Sequence, residues 1–173
     1  MCRHTGLLWQ SKWYIFGGQI SSIENTKKLW VFDFLKSAWK LYWPRGKEQV
    51  WPNSVHSHSC NYYADGDSVD EMVISFGFIG DNIADHSNQV WSFNFQKETW
   101  TNLFPHTPKV TSNIPEPRSG QSTAIVKSTL YVFGGADNDQ RLNDMWGFDL
   151  KYCEWQRIQL NGKIMPEVIS MRI

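Results

Sequence analysis

His56, His58 and Cys60 alternate along the chain. On a strand that spacing puts two imidazoles and a thiol on one face, a donor set that suits a metal. The plainer reading is that a strand histidine is packed or hydrogen-bonded. The three cysteines, Cys2, Cys60 and Cys153, have no metal-type spacing. An acidic stretch, ADGDSVDE (Ala64–Glu71), groups Asp65, Asp67, Asp70 and Glu71 around Gly66. It lacks the spacing of a calcium loop and reads as a solvated hairpin turn. No G-x-S-x-G, phosphate-binding loop or dinucleotide fingerprint occurs. The sequence therefore assigns no catalytic residue, no metal and no cofactor.

Charge narrows the partners. Seventeen basic and seventeen acidic residues cancel, with no block of one sign. A nucleic-acid binder shows a basic stripe, and a membrane-surface binder a basic face. Neither is visible. The N-terminal residues have no apolar run of signal-peptide length, and nothing later approaches the roughly 18 apolar residues of a membrane span. An odd number of scattered cysteines suits reduced thiols, hence a cytoplasmic or nuclear setting.

The elements that would position any site are repeated three times. One copy reads LYVFGG (Leu130–Gly135), MWGFDL (Met145–Leu150) and EWQRI (Glu154–Ile158). An earlier copy has VISFGF (Val73–Phe78), VWSFNF (Val90–Phe95) and TWTNL (Thr99–Leu103), and the first has WYIFGG (Trp13–Gly18), LWVFDF (Leu29–Phe34) and AWKL (Ala38–Leu41). Trp30 to Trp39, Trp91 to Trp100 and Trp146 to Trp155 are each nine positions. From the glycine to the first tryptophan the distance varies, 13 from Gly17, 14 from Gly77 and 12 from Gly134. A fixed spacing beside a variable one marks a rigid hairpin next to a tolerant loop.

Alternation along MWGFDL sends Trp146, Phe148 and Leu150 to one face and Met145, Gly147 and Asp149 to the other. LYVFGG is apolar on both faces, so its sheet is covered from both sides. A fourth strand precedes each glycine strand: HTGLLW (His4–Trp9), HSHSCNYY (His56–Tyr63) and QSTAIV (Gln121–Val126). Four short strands stacked between similar sheets make a propeller blade. Trp30, Trp39, Trp91, Trp100, Trp146 and Trp155 are then blade packing, since large aromatics dominate core burial.

The glycine pair after an apolar strand, the W-x-F-[DN] strand, the tryptophan nine later and the lead-in PEPRSGQS (Pro115–Ser122) resemble kelch repeats. The resemblance runs from about Arg3 to Ile158. It implies an all-β chain of four-stranded antiparallel blades, at about residues 3–42, 56–104 and 118–160, with 161–173 a stub towards a fourth. Gly17, Gly18, Gly77, Gly134 and Gly135 would be structural repeat positions. In the second copy the family's glycine pair is read as Gly77 followed by Phe78.

The resemblance also implies function. Kelch propellers serve as substrate receptors of ubiquitin ligases and as cytoskeletal or signalling adaptors, so a non-catalytic protein-interaction module is expected. The alternative is a piece of a propeller enzyme, a copper oxidase or sugar isomerase, whose catalytic residues lie outside this chain. Strand order puts the loop between a blade's second and third strands on the same rim as the connection to the next blade. Residues expected exposed there, as partner contacts, are Arg45, Trp51, His86, Arg118, Asp137 and Arg141; Arg118 also matches a blade-start position of the family.

Three blades fall short of the four to eight that close a ring. The sequence reads as a fragment of a larger propeller, or as a subunit whose end faces are covered by self-association or by further blades.

Overall fold

In the computed structural model the described residues are 1–21, 24–44, 46, 49–66, 69–79, 85–107 and 113–162. Arg45 and residues 163–173 of the expected stub lie outside them. The first blade is β1 (Thr5–Trp9), β2 (Lys12–Phe16), β3 (Leu29–Asp33) and β4 (Ala38–Tyr42). The second contributes β5 (Val55–His56), β6 (Ser59–Ala64), β7 (Asp70–Ser75), β8 (Phe78–Ile79), β9 (Val90–Asn94) and β10 (Thr99–Phe104). The third is β11 (Ser122–Val126), β12 (Thr129–Phe133), β13 (Met145–Asp149) and β14 (Glu154–Ile158). Each blade is a four-stranded antiparallel meander, β1-β2-β3-β4, β6-β7-β9-β10 and β11-β12-β13-β14, and β5 pairs with β8 beside the second. The described elements are all strands, and the three four-stranded sheets do not close a ring among the described residues.

The fixed nine-residue spacing has a chemical cause. The last residue of the W-x-F-[DN] motif caps the turn that follows, its side-chain oxygen accepting from backbone N–H groups. Asp33 accepts from Leu35 and Lys36, at 3.0 and 3.1 Å. Asn94 accepts from Lys97 at 2.8 Å, and Asp149 from Lys151 and Tyr152 at 2.8 and 3.1 Å. Each turn ends on a residue in the left-handed region, Ser37, Glu98 or Cys153, so the three hairpins share one turn and Trp39, Trp100 and Trp155 stand opposite Phe32, Phe93 and Phe148.

The glycines behave differently from the sequence reading in the second blade. Gly17 and Gly134 follow β2 and β12 with φ near +64°, and the residue in that place after β7 is Phe76, φ +61°. Gly77, φ +95°, matches Gly18 and Gly135, at +99° and +91°. Backbone pairing agrees: Gly18 N–H donates to Val55 and Gly77 N–H to Arg118, both carbonyls that lead into the next blade. The glycine pair is therefore replaced at its first position, by Phe76. Phe78 lies beyond the pair, in β8.

The stretch around His56 is also broken. Ser57 has φ +54°, which ends β5 and starts β6 two residues later. His56, His58 and Cys60 thus do not share the face of one strand. His58 joins two blades instead, its Nε2 lying 2.5 Å from Thr5 Oγ1 of the first blade. Gln121 does the same one blade on, donating from Nε2 to Ser59 Oγ at 2.7 Å.

Two apolar clusters sit between the blades. Tyr14, Phe16, Leu29 and Val31 of the first blade meet Met72, Ile74, Trp91, Phe93 and Trp100 of the second. Tyr63, Val73, Phe76 and Val90 meet Leu130, Val132, Trp146 and Phe148 of the third. Four of the six repeat tryptophans, Trp91, Trp100, Trp146 and Trp155, are packed this way. Trp30 is half-buried and Trp39 exposed, because the face they occupy has no earlier blade among the described residues.

Candidate interaction surface

Between the second and third blades the rim loops flank an open cavity of about 640 Å³. Ile79 reaches it from β8, Asp85 and His86 from the loop before β9, His106, Glu116 and Pro117 from the β10–β11 connection, and residues 137–140 from the β12–β13 loop. This is the shared rim that strand order required. The size falls within the range of ordinary ligand pockets. Four carboxylates line it, Asp85, Glu116, Asp137 and Asp139, and among the described residues of the wall there is no lysine or arginine.

The loops are held in place by their own polar chemistry. His86 is buried, its Nδ1 2.9 Å from Asn138 Oδ1 and its Nε2 3.2 Å from Ser119 Oγ. Its ring lies 4.1 Å from that of Phe78. Burial lowers the pKa of His86, so the imidazole is kept neutral and its two nitrogens play opposite hydrogen-bonding roles. Asp137 Oδ1 accepts from Asp139 N–H at 2.8 Å and Gln140 N–H at 2.7 Å, an Asx-type turn that shapes the β12–β13 loop. Burial raises the Glu116 carboxyl, and the hydrogen bond and charge of Asp137 raise it further. On Asp137 burial acts upward too, but the N–H groups of Gln140 and Asp139 outweigh it and hold the carboxyl low. Two carboxyl groups thus share a site, one raised and one lowered, with the charge of Arg118 acting against the rise at Glu116.

Of the residues expected exposed, Asp137 and His86 line the cavity, and Arg141 is exposed on the same loop, bridged to Ala136. His86 reaches it as a buried strut, which corrects the expectation of a solvated contact. Trp51 is half-buried and away from the cavity. Its Nε1 donates to the Lys27 carbonyl at 2.7 Å, and its ring meets Trp100 edge-on at 6.0 Å, so it wedges the first two blades. Arg118 is 0% exposed and is no partner contact. Its guanidinium donates to both Asp144 oxygens, at 2.5 and 3.0 Å, and to the Gly134 and Glu116 carbonyls, at 3.1 and 3.0 Å. Every nitrogen is engaged, so the side chain belongs to the blade start. Arg45 lies outside the described residues.

Glu116, His106, Asp85 and Asn138 were not singled out from the sequence. They sit on three separate loops, and only the closing of two blades together makes them neighbours. Among the described residues no three of His, Cys, Asp and Glu gather as they would around a metal ion, and His56, His58 and Cys60 are dispersed by the break at Ser57. All three cysteines are free thiols.

Comparison with known proteins agrees with this architecture. The KLHDC2/KLHL20/DRC7 Kelch-repeats domain family matches residues 3–171. The human leucine-zipper-like transcriptional regulator 1 is 25% identical over 174 residues, which is 99% of this chain and 20% of that protein. Kelch domain-containing protein 3 of Bos taurus is 26% identical over 161 residues, 86% of this chain and 39% of that protein. Protein ral2 of Schizosaccharomyces pombe is 34% identical over 76 residues, 42% of this chain and 12% of that protein. The chain thus spans well under half the length of these relatives. Three four-stranded blades with a capped W-x-F-[DN] hairpin, matched by a family over almost every residue, place this chain in the Kelch-repeat family.

Proposed function

We propose that this chain is a non-catalytic protein-interaction module, the recognition part of a larger kelch protein working in the cytoplasm or nucleus. Its contact point is the cavity between the second and third blades, which takes a positively charged segment of a partner protein. The observation that carries this reading is an open groove of about 640 Å³ walled by loops of two blades and lined, among the described residues, by four carboxylates and no lysine or arginine. A rigid β scaffold bearing loops on one rim is a binding platform, and the fixed turn at Asp137 lowers the entropy cost of docking. Separation of the carboxylates favours a guanidinium or ammonium group over a metal ion, because no three of the described ligating groups converge.

A phage-displayed random peptide library supplies the probe. Selection on the wild-type chain should enrich peptides with arginine or lysine, and binding should fall about tenfold or more on Asp139→Lys, an exposed position in the cavity wall. Ser21→Lys, exposed on the first blade, should leave it unchanged. Enrichment of acidic or purely apolar peptides, or peptides indifferent to Asp139→Lys, would reject the site.

A further inference from the structure

The wall of the groove between the second and third blades owes part of its shape to one buried amide. Asn88, 1% exposed, accepts from Thr107 N–H at 3.0 Å and donates to the carbonyls of Thr107 at 3.0 Å and Pro115 at 3.2 Å. Those two backbone positions adjoin His106 and Glu116, which both line the groove. A single side chain from the second blade thus holds two titrating residues in one wall. None of its bonds involves the His106 ring, so the ring can change charge without releasing the backbone beside it.

His106 differs from the other imidazole of the groove. Both ring nitrogens of His86 are engaged, by Asn138 and Ser119. The buried Nδ1 of His106 has no hydrogen-bond partner among the described residues. A proton gained there meets no acceptor. Burial lowers the pKa of His106, and the charge of Asp85 acts in the opposite direction. The groups that share the groove with it are Asp85 and His86 from the loop before β9, Glu116 from its own connection, and Asp137 and Asp139 from the β12–β13 loop.

The charge of the groove therefore turns on protons. With both imidazoles neutral the wall is carboxylate-lined, and among its described residues there is no lysine or arginine. An imidazolium at His106 would set a positive charge among those carboxylates. It would compete for them with any cation of a partner, and repulsion between like charges a few ångströms apart at a protein surface is worth about tenfold in affinity or more. Proton uptake at Glu116, raised first by burial and then by Asp137, removes a negative charge and acts in the same direction.

We propose that His106 decides what the groove admits: neutral, it leaves the carboxylates to a cationic segment of a partner, and protonated, it supplies the countercharge itself and turns that segment away. Affinity for a basic partner then falls as pH drops through the His106 transition. By reciprocity the bound partner makes His106 harder to protonate. The proposal rests on the reading of this groove as the site for a basic segment.

Fluorescein-labelled tetra-arginine amide, followed by anisotropy at constant ionic strength, is the probe. For the parent chain its dissociation constant should rise about tenfold or more between pH 7.5 and pH 5.5. His106→Gln should cut that ratio by about threefold or more, and His106→Lys should bind weakly at both pH values. Protonation of the buried His58 is common to all three chains and cancels in the comparison. NMR of the His106 ring gives a second reading, because its titration should move to lower pH when tetra-arginine is bound. Two results overturn this inference and leave the basic-partner reading standing. One is binding that Asp139→Lys weakens but whose pH ratio His106→Gln leaves unchanged, and the other is a His106 titration unmoved by the peptide. Absence of binding, or binding indifferent to Asp139→Lys, overturns both.

Discussion

Phe76 packs edge-on against Trp155 from a backbone in the left-handed region, φ +61°, with ring centroids 5.6 Å apart. The first and third blades use glycine at this place. The second blade accepts a strained backbone in exchange for an aromatic ring in the core between blades, where Arg118 also lies over it at 5.9 Å.

Two substitutions separate these terms. Phe76→Gly relieves about 1–2 kcal/mol of left-handed strain but forfeits the roughly 3–5 kcal/mol typical of deleting a buried phenylalanine. A net loss of about 2 kcal/mol should appear as a lower urea midpoint at constant slope. Phe76→Ala keeps the strain and loses the ring, so it should be less stable than the glycine variant. A glycine variant as stable as the parent would show that the ring contributes nothing.

Gly135 is the tighter member of its pair. A Cβ there would sit 2.8 Å from the Ser119 carbonyl oxygen and 3.0 Å from Gln121 N, both backbone. At Gly134 the nearest atom is the Leu142 carbonyl oxygen, at 3.1 Å. Both have positive φ, so each alanine carries about 1–2 kcal/mol of strain. Gly135→Ala should add a clash that backbone cannot escape and cost at least 1 kcal/mol more than Gly134→Ala. Equal urea midpoints for the two variants would contradict the assignment of close approach to Gly135.

Much of this fold is legible from residue spacing, because the parts that repeat are local. The hairpin from Trp146 to Trp155 is fixed by alternation and by the cap at Asp149, all within ten residues. The misalignment of Gly77 arises because left-handed φ is invisible when the residue holding it is phenylalanine. Arg118 looks like a surface cation until Asp144, 26 positions on, is folded against it. The cavity was readable only as a rim of variable loops. Its lining comes from three segments up to 61 positions apart, Ile79 to Gln140, and no short-range pattern links them.

The Arg118–Asp144 pair predicts a sharp asymmetry. Burial alone would raise the Asp144 carboxyl, but the hydrogen bonds and charge of Arg118 hold it below the usual carboxylate range. Its contribution is therefore present above the unfolded value near 3.9 and is lost as pH falls through the lower folded one. Arg118→Leu strands a half-buried carboxylate together with the Gly134 and Glu116 carbonyls, and should cost about 3–5 kcal/mol at pH 7. Asp144→Asn keeps a hydrogen-bond acceptor but leaves a fully buried guanidinium uncompensated, so it should also cost several kcal/mol. A double-mutant cycle by urea denaturation should give a coupling energy of at least 1 kcal/mol. Additive losses would mean that the pair does not act as a unit.

His58 gives the chain an acid sensitivity that one substitution should remove. Burial pushes its pKa down to about 3, with smaller contributions from His56 and His4. The unfolded chain titrates this imidazole near 6.5. Between those values the unfolded state holds a proton that the folded state refuses, so stability is full above about pH 6.5 and falls as pH drops towards 3. The slope is about 1.4 kcal/mol per pH unit for one such histidine. His56 and His86 are also lowered, in each case first by burial, and they add to the slope of the parent chain. His58→Gln places at this blade junction the residue that Gln121 supplies at the next, where its amide reaches Ser59. The variant should keep the link to Thr5 and stay within about 1 kcal/mol of the parent at pH 7.5. At pH 4.5, two units below the unfolded value, it should gain about 2–3 kcal/mol relative to the parent. Urea melts at pH 7.5, 6.5, 5.5 and 4.5 measure this directly. Parallel stability curves for the two proteins would show that His58 binds its proton as readily folded as unfolded, and that the junction is not closed to water.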